Sequence, residues 1–259
     1  MTKARFAELQ VLPVKPVNKM AAFAEECGWM AHRMEAFERT RAAAGVTMER
    51  VALMETPGLN FTIAHREGSI DFTKVATIFR ESTDIYDIDM KDRGRILHGL
   101  SLEEQVAHRV PLETLIDHST AGEERGPWSA FAAPIAAGKK DRWRALCAEL
   151  AGARRDAFAR FNEKNGFTVV RGALYDKGHG AFACFYVEGT ADTGKLPKAL
   201  AAEGDLEGWL ARELEEIHGS DLRKRLPFVP VGVTWDWAIG APNDPVAPIS
   251  ASFEALFKG

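Results

Sequence analysis

Histidines are the residues of this sequence best suited to chemistry near neutral pH, because an imidazole gains or loses a proton there. Five of the seven lie in the first half of the chain: His32, His65, His98, His108 and His118. His65 precedes Glu67 by two residues, and side chains two apart on a β-strand point to the same face. A strand through this segment would therefore place an imidazole beside a carboxylate, an arrangement suited to general acid/base catalysis.

The same residues allow a metal site as an alternative. One strand face could supply His65 and Glu67 as ligands, and His118 or His32 could complete a two-histidine, one-carboxylate set. A histidine on a strand or a helix could also ligate a haem iron. We expect chemistry that needs no cofactor, with haem or a divalent metal as the alternative.

The elements that would position these histidines occur twice. Residues 13–71 align without a gap with residues 134–192, at an offset of 121, and 16 of these 59 positions are identical. The clearest shared segment reads Gly-Val-Thr-Met-Glu-Arg-Val-Ala-Leu from Gly45 and Gly-Phe-Thr-Val-Val-Arg-Gly-Ala-Leu from Gly166. The sequence therefore indicates a tandem duplication whose period is a whole small domain.

Some polar residues are shared by both copies. Arg50 and Glu67 recur as Arg171 and Glu188, and a hairpin that closes through residues 58 and 59 would place Arg50 opposite Glu67. We interpret each pair as a structural ion pair between neighbouring strands. Two further histidines stand before a glycine at a helix C-terminus, where an imidazolium interacts favourably with the last carbonyls: His98 and His218.

Other polar residues differ between the copies. His65 replaces Tyr186, His32 replaces Ala153, and His118 ends the last predicted strand of the first copy. We therefore expect the active site in the first copy, with His65 as the general base, His118 and His32 orienting it or relaying protons, and Tyr186 as the degenerate counterpart. The alternative for each histidine is a satisfied polar residue with no catalytic role.

Hydrophobic periodicity and turn residues predict the order βαββαβ in each copy. In the first copy we expect a strand at 6–12, a helix at 18–44, a hairpin of strands 49–55 and 61–67, a helical region over 72–97 that is interrupted near 81–84, and a strand at 113–118. In the second we expect a strand at 128–135, a helix at 139–165, strands 168–176 and 180–188, a helix at 195–217 and a strand at 231–237. Residues 1–122 and 123–240 would be two α+β, ferredoxin-like units, followed by a tail at 241–259.

Composition excludes several classes of protein. A net charge of −4 and a pI near 6.0 give no basic surface for nucleic acid. No apolar stretch is long enough to span a bilayer and no signal peptide is recognisable, so we expect a cytoplasmic protein without a membrane partner. The three cysteines form no Cys-x-x-Cys pair, which argues against a disulfide framework or a zinc ribbon: Cys27, Cys147 and Cys184.

Several segments resemble the small bacterial proteins of the dimeric α/β-barrel superfamily. The segments that carry this resemblance are residues 138–143, 151–155, 185–189, Trp209 and 217–222. The resemblance implies two fused copies whose antiparallel sheets pack face to face as an α/β barrel within one chain. It also implies a range of activities, since the superfamily includes cofactor-free oxygenases, polyketide cyclases, isomerases and haem enzymes.

We therefore expect an enzyme, acting as an oxygenase, cyclase or isomerase on a hydrophobic small molecule through histidine acid/base chemistry. The alternatives are a haem- or metal-dependent barrel enzyme and a non-catalytic small-molecule-binding protein. The expected assembly is a monomer or a homodimer. Aromatic side chains of the second copy could form the wall of an apolar pocket: Trp128, Trp143, Tyr175, Phe182, Phe185, Tyr186, Trp235 and Trp237.

Overall fold

The computed structural model describes residues 6–14, 29, 32–56, 59–120, 126–178, 180–190, 192, 194–224, 226–227 and 229–239. It is an α+β structure with two four-stranded antiparallel sheets. Three sequence predictions lie outside the described residues: the first part of the helix expected at 18–44, Cys27 and the tail at 241–259.

The first half of the chain forms β1 (Phe6–Val14), α1 (Met34–Ala43), β2 (Val46–Thr56), β3 (Leu59–Gly68), α2 (Val75–Glu81), α3 (Ile85–Arg93), α4 (Leu102–His108) and β4 (Glu113–Ser119). The second half forms β5 (Trp128–Pro134), α5 (Lys140–Ala151), α6 (Arg155–Asn165), β6 (Val169–Asp176), β7 (Ala181–Glu188), α7 (Lys195–Leu200), α8 (Asp205–His218) and β8 (Val229–Ala238). Short helical turns at Phe72–Lys74 and Gly94–His98 flank α2 and α3.

The fourth strand of each sheet comes from the other half of the sequence. One sheet has the strand order β1-β3-β2-β8 and the other has the order β4-β6-β7-β5. The chain accordingly divides into a first unit, of residues up to Leu112 together with the strand from Val231, and a second unit, Glu113–Pro230. The units are therefore not the contiguous segments 1–122 and 123–240 that we predicted from the repeat.

An arginine of the second strand of each copy binds an aspartate of this fourth strand. Arg50 Nε donates to Asp236 Oδ1 at 2.9 Å in the first unit, and Arg171 Nε donates to Asp117 Oδ1 at 3.1 Å in the second. Both arginines are largely buried, so each ion pair is partly shielded from water. These shared arginines therefore help to fix the fourth strand in each sheet.

The register of the β2–β3 hairpin corrects one prediction. Arg50 lies opposite His65, not opposite Glu67, because the pairing of the two strands ends with Thr56 opposite Leu59. In the second unit Arg171 likewise lies opposite Tyr186. The predicted direct opposition of Arg50 with Glu67 and of Arg171 with Glu188 is therefore wrong.

Several positions shared by the two copies make the same contact in each unit. Gly45 and Gly166 end a helix in the left-handed conformation, with φ of 68° and 69°. The carbonyl oxygen of each lies against a second glycine: a Cβ atom added to Gly68 would be 2.3 Å from the Gly45 oxygen, and one added to Gly189 would be 1.9 Å from the Gly166 oxygen. Only glycine allows this approach of the helix end to the sheet.

The core of the first unit includes aromatic residues from both ends of the sequence. Phe37 of α1 packs edge-to-face against Trp235 and Trp237 of β8, with ring centroids 4.8 and 5.2 Å apart. All three side chains are fully buried. We had expected these two tryptophans in the second copy, but β8 carries them into the first unit. No helix of the described chain is long and apolar enough to cross a membrane.

The glycine contact gives a stability prediction. Gly189→Ala should lower the free energy of unfolding by at least about 3 kcal/mol, because the new Cβ overlaps the Gly166 carbonyl at a φ of +99°. Gly138→Ala is the matched control, since Gly138 also has a positive φ but nothing within 4 Å of the added Cβ, and should cost about 1 kcal/mol. Urea unfolding followed by circular dichroism measures both. Equal losses would show that the close contact is unimportant.

Candidate functional site

An apolar cavity of about 80 Å³ lies in the second unit, between the sheet and the helices α5, α6 and α8. Its wall is mostly large apolar side chains, among them Trp143, Phe158 and Phe185. Trp143 and Phe185 belong to the aromatic set that the sequence suggested as a pocket wall. We had expected the pocket in the first copy, whereas the structure places this apolar cavity in the second unit.

His218, the last residue of α8, brings an ionisable group to this cavity. The apolar residues of α8 recur at three- and four-residue steps and face the core, and Gly219 ends the helix with a φ of 68°. His218 itself is only 8% exposed. Its Nδ1 donates to the carbonyl oxygen of Pro134 at 2.8 Å, because a carbonyl can only accept.

This hydrogen bond fixes the tautomer of His218. With the proton on Nδ1, the neutral ring presents the lone pair of Nε2, which is buried and has no hydrogen-bond partner within the described parts of the chain. Burial lowers the pKa of His218, and the bond to Pro134 opposes that effect only in part. The imidazole is therefore held neutral, as a proton acceptor at the wall of an apolar cavity.

Two further polar atoms of the cavity wall are buried without a described partner. They are Nδ2 of Asn162, a side chain that is 1% exposed, and Nε1 of Trp143, also 1% exposed. Both are N–H donors, whereas Nε2 of His218 is an acceptor. A buried polar group without a partner costs about 1–3 kcal/mol, so an apolar ligand with one or two polar atoms would satisfy groups that the protein leaves open.

The first unit has a cavity in the matching position, but its wall is charged. This cavity measures about 60 Å³ and lies between the sheet and the segments that include α1, α3 and α4. Strand register aligns Glu8, Arg66 and Glu49 in one row across β1, β3 and β2, on the face towards the cavity. The corresponding row of the second unit is Ser129, Val187 and Val170.

A buried network joins this row to α1. Arg66 Nε donates to Glu49 Oε2 at 2.6 Å and its Nη1 donates to Glu8 Oε1 at 3.3 Å. Arg41 of α1 also donates to both carboxylate oxygens of Glu49, at 2.9 and 3.3 Å. Glu8, Glu49 and Arg66 are each less than 9% exposed, so these charges interact in a medium of low dielectric constant.

The two glutamates of the network differ in acidity. Burial alone would raise the pKa of Glu49, but the guanidinium groups of Arg41 and Arg66 outweigh it and lower that pKa to about 2. Burial raises the pKa of Glu8 to about 7, since Arg66 offsets only part of the desolvation. Oε2 of Glu8 has no hydrogen-bond partner in the described structure, which agrees with a carboxyl group that is often protonated.

Sequence reasoning missed this network although the alignment of the two halves contained the signal. The first copy has Glu8, Arg41, Glu49 and Arg66 where the second has Ser129, Asn162, Val170 and Val187. Each of these positions has a charged residue in the first copy and an uncharged residue in the second. The imidazole at position 65 drew attention instead, because histidine titrates near neutral pH whereas arginine does not.

His65 lies on the opposite face of the same sheet from Arg66, as neighbours on a strand must. Its Nδ1 is 3.0 Å from the backbone oxygen of Glu8 and its Nε2 is 3.3 Å from Oε1 of Glu67, and the ring is fully buried. The structure thus brings His65 and Glu67 together, as we expected from their spacing. Both ring nitrogens are engaged, so action of His65 as a base would require one of these contacts to break.

The other three predicted site residues are dispersed. His32 is exposed in the turn before α1. Tyr186 is fully buried in β7 of the second unit and donates to Glu188 Oε1 at 2.6 Å. His118 also belongs to the second unit, on β4, and its ring lies 5.8 Å from that of Phe158. The four predicted residues therefore do not converge on one pocket of the first copy.

His118 is nevertheless on the cavity face of its sheet. Register places it in one row with Val170 and Val187, both of which line the apolar cavity. Burial, followed by repulsion from Arg155, lowers the pKa of His118. The proton relay that we predicted through His118 stays a prediction, because its row on the sheet ends at Ser129 of β5, whereas His218 contacts Pro134, five residues further along that strand.

The two alternative cofactors can be tested against these residues. In the part of the chain that the structure describes, no group of three His, Cys, Asp or Glu side chains could hold a metal ion, and His65 and Glu67 lie in a different unit from His118. A volume of about 80 Å³ is below the ~300 Å³ at which sites for drug-sized ligands begin, so the apolar cavity does not fit a haem.

Comparison with known proteins gives little further guidance. No family model matches the chain, and no curated protein matches it. Among solved structures the chain is similar to a protein of Fusobacterium nucleatum subsp. nucleatum that is provisionally named a monooxygenase. The identity is 11%, the match covers 93% of this chain and 97% of that one, and the TM-score is 0.48.

The acidity of Glu8 predicts how stability depends on pH. Folding raises the pKa of Glu8 from 4.5 to about 7, so between these values the unfolded chain binds fewer protons and the free energy of unfolding should fall as pH rises. The full loss is about 3 kcal/mol and is complete above pH 7. Glu8→Gln removes this titration. The free energy of unfolding of the variant, measured relative to that of the wild type, should therefore rise by about 2 kcal/mol from pH 5 to pH 8.

Urea unfolding at the two pH values measures this change. His218 acts in the opposite direction, since its lowered pKa costs stability as pH falls below 6.5, and comparison with the wild type cancels that effect. Glu203→Gln, at an exposed glutamate, is the control and should show no pH-dependent difference. A difference for Glu8→Gln that is the same at pH 5 and pH 8 would contradict the assignment.

Proposed function

We propose that this chain is a small-molecule enzyme that removes a proton from a small hydrophobic substrate in the apolar cavity of the second unit. His218 is the general base, and the reaction belongs to the oxygenase, cyclase or isomerase class that needs no organic cofactor. The observation that carries the proposal is the arrangement of His218, with Nδ1–H bound to Pro134 and Nε2 free at an apolar wall.

The chemistry follows from this arrangement. A neutral imidazole with one nitrogen held by a carbonyl is oriented as it is in many acid/base sites, and the surrounding apolar side chains exclude water from the proton transfer. The substrate needs an acidic O–H or C–H group that can approach Nε2. Nδ2 of Asn162 and Nε1 of Trp143 would donate to an oxygen of the substrate and stabilise the anion that forms there.

The size of the cavity limits the substrate. With a volume of about 80 Å³ it limits the substrate to at most a single ring or a short branched chain and excludes a large polyketide. The matched glycine, arginine and histidine contacts of both units support descent from one ancestral domain, and the matching cavities now differ in their lining, which is apolar in the second unit and charged in the first.

A non-catalytic binding protein is the second candidate. It is favoured by the almost wholly apolar wall, which offers affinity for a ligand but few groups to transform it. The two candidates differ in whether Nε2 of His218 only accepts a hydrogen bond or also takes the proton. One experiment on binding and one on proton transfer therefore separate them.

The binding experiment compares phenol with toluene, which have nearly the same shape but differ in a hydroxyl group. The wild type should prefer phenol to toluene, because Nε2 accepts a hydrogen bond from the phenolic hydroxyl group. This preference, measured as the ratio of the two dissociation constants, should be about tenfold larger in the wild type than in His218→Leu. Trp143 fluorescence reports binding. His98→Leu, at the equivalent position of the first unit, is the control and should leave the ratio unchanged. An identical ratio in His218→Leu would place phenol elsewhere.

The second experiment measures proton transfer directly. The protein should accelerate the exchange of the central C–H of acetylacetone with deuterium oxide, followed by proton nuclear magnetic resonance. His218→Gln should reduce this acceleration at least about a hundredfold, because glutamine cannot take a proton. His98→Gln is the control and should retain it. Phenol binding that depends on His218, without any acceleration of exchange, would favour the non-catalytic candidate.

A further inference from the structure

Arg109 is a buried cation without a carboxylate partner. It follows the last residue of α4 and is 8% exposed. Its Nη1 donates to the backbone oxygen of Gln105 at 3.2 Å, and its guanidinium lies 3.4 Å from the ring centroid of Phe79. Among the described residues no aspartate or glutamate oxygen lies within 4 Å of it. Burial of an unpaired charge costs several kcal/mol, so the position requires an explanation.

The surroundings make Arg109 more unusual. It lines the charged cavity of the first unit together with Arg41, Arg66 and Arg93, so four arginines share one wall. Burial lowers the pKa of Arg109 to about 9, and repulsion from Arg66 and Arg41 contributes to the shift. The carboxylates of Glu49 and Asp87 attract it only from a distance, since neither makes an ion pair with it.

The carboxylates of the network are engaged by arginines other than Arg109. Glu49 binds Arg41 and Arg66, as described above. Glu8 binds Arg66 through one oxygen, and its second oxygen has no partner in the described structure. A negative charge beside Arg109 would give this guanidinium the partner that Glu8 and Glu49 do not provide.

We propose that this cavity binds a small organic carboxylate, with Arg109 as the principal ligand-binding side chain and Arg66 and Arg41 as the supporting charges. A planar guanidinium matches the two oxygens of a carboxylate, and Phe79 and the Gln105 carbonyl already hold Arg109 in place. A volume of about 60 Å³ limits the ligand to a few non-hydrogen atoms.

Neutral polar groups near the cavity fit the same ligand. The amide of Gln105 donates through Nε2 to the backbone oxygens of Lys91 and Leu100, which holds its Oε1 in position without a described partner. The amide of Gln10, fully buried on β1 in the row next to Glu8, has neither of its polar atoms paired within the described chain. Oε1 of Gln105 would accept from a hydroxyl or a protonated acid, and Gln10 Nε2 would donate.

The experiment measures the melting temperature of the full chain with increasing sodium acetate, with sodium phosphate and with sodium chloride at the same ionic strength. Acetate should raise the melting temperature more than chloride does, because it binds the folded state. Phosphate is the second arm, since it would detect a site for a tetrahedral oxyanion instead. A rise with phosphate and not with acetate would overturn the assignment to a carboxylate.

Arg109→Met is the decisive variant. It should raise the dissociation constant for acetate at least tenfold and also raise the melting temperature without acetate, because it replaces an unpaired buried charge by an apolar side chain. Arg142→Met, at an exposed arginine bound to Glu213, is the matched control and should keep the effect of acetate. The proposal is wrong if acetate acts on the wild type no more than chloride does, or equally on Arg109→Met.

Arg109→Lys keeps the positive charge and guards against a variant that fails to fold. It should retain weak acetate binding, because an ammonium group attracts the anion but lacks the planar pair of donors. Acetate binding to Arg109→Lys as tight as that of the wild type would show that the guanidinium geometry is unimportant and would overturn the assignment of Arg109. None of these outcomes depends on the proton-transfer activity proposed for the second unit.

Discussion

The alternation of side chains along the central strands of each sheet is the constraint on which both cavities depend. Neighbouring residues of a strand point to opposite faces, so Arg66 and His65 cannot contribute to the same pocket. Pairing with β1 and β2 then aligns Arg66 with Glu8 and Glu49, and the equivalent strands of the second unit align Val187 with Ser129 and Val170. A one-residue shift of register would exchange the lining of each cavity with the residues behind it.

The two cavities show how one scaffold can hold opposite chemistries. In the second unit the wall is apolar, so the desolvated imidazole of His218 remains neutral and its free nitrogen is a proton acceptor. In the first unit the corresponding space is lined by arginines and by Glu49, and the equivalent histidine, His98, donates to Pro13 at 3.0 Å. The histidine–proline contact is therefore part of the scaffold, and the surrounding side chains decide what the imidazole can do.

Buried charges in the first unit are better explained by binding than by stability. Well-packed apolar residues are often as stabilising as a buried ion pair or more so, and the second unit shows that apolar residues suit these positions. Glu49 is compensated by two arginines, but Glu8 keeps an unpaired oxygen and Arg109 has no carboxylate. Groups that weaken the fold where apolar substitutes exist are typical of functional sites.

The sequence did not predict that the fourth strand of each sheet comes from the other half of the chain. This arrangement changed the interpretation of several residues. Residues 113–118 and 231–237 were correctly predicted as strands, because alternation and length are local properties. Which sheet edge each strand joins depends on contacts between residues far apart, such as Arg50 with Asp236 and Arg171 with Asp117. His118 and the two tryptophans of β8 consequently lie in the opposite unit from the one we predicted.

The sequence alone determined the α+β class, the strands and the positions that the two halves share, since these follow from local periodicity and from alignment of the chain with itself. It did not predict α4, and the helices expected at 139–165 and 195–217 are each divided into two. Gly45 and Gly166 end helices as predicted, and His65 lies beside Glu67. Only the tertiary structure decided which polar residues converge. The networks around His218 and Arg109 are assembled from strands and helices that are distant in sequence, and no local pattern specifies which face of one element meets another.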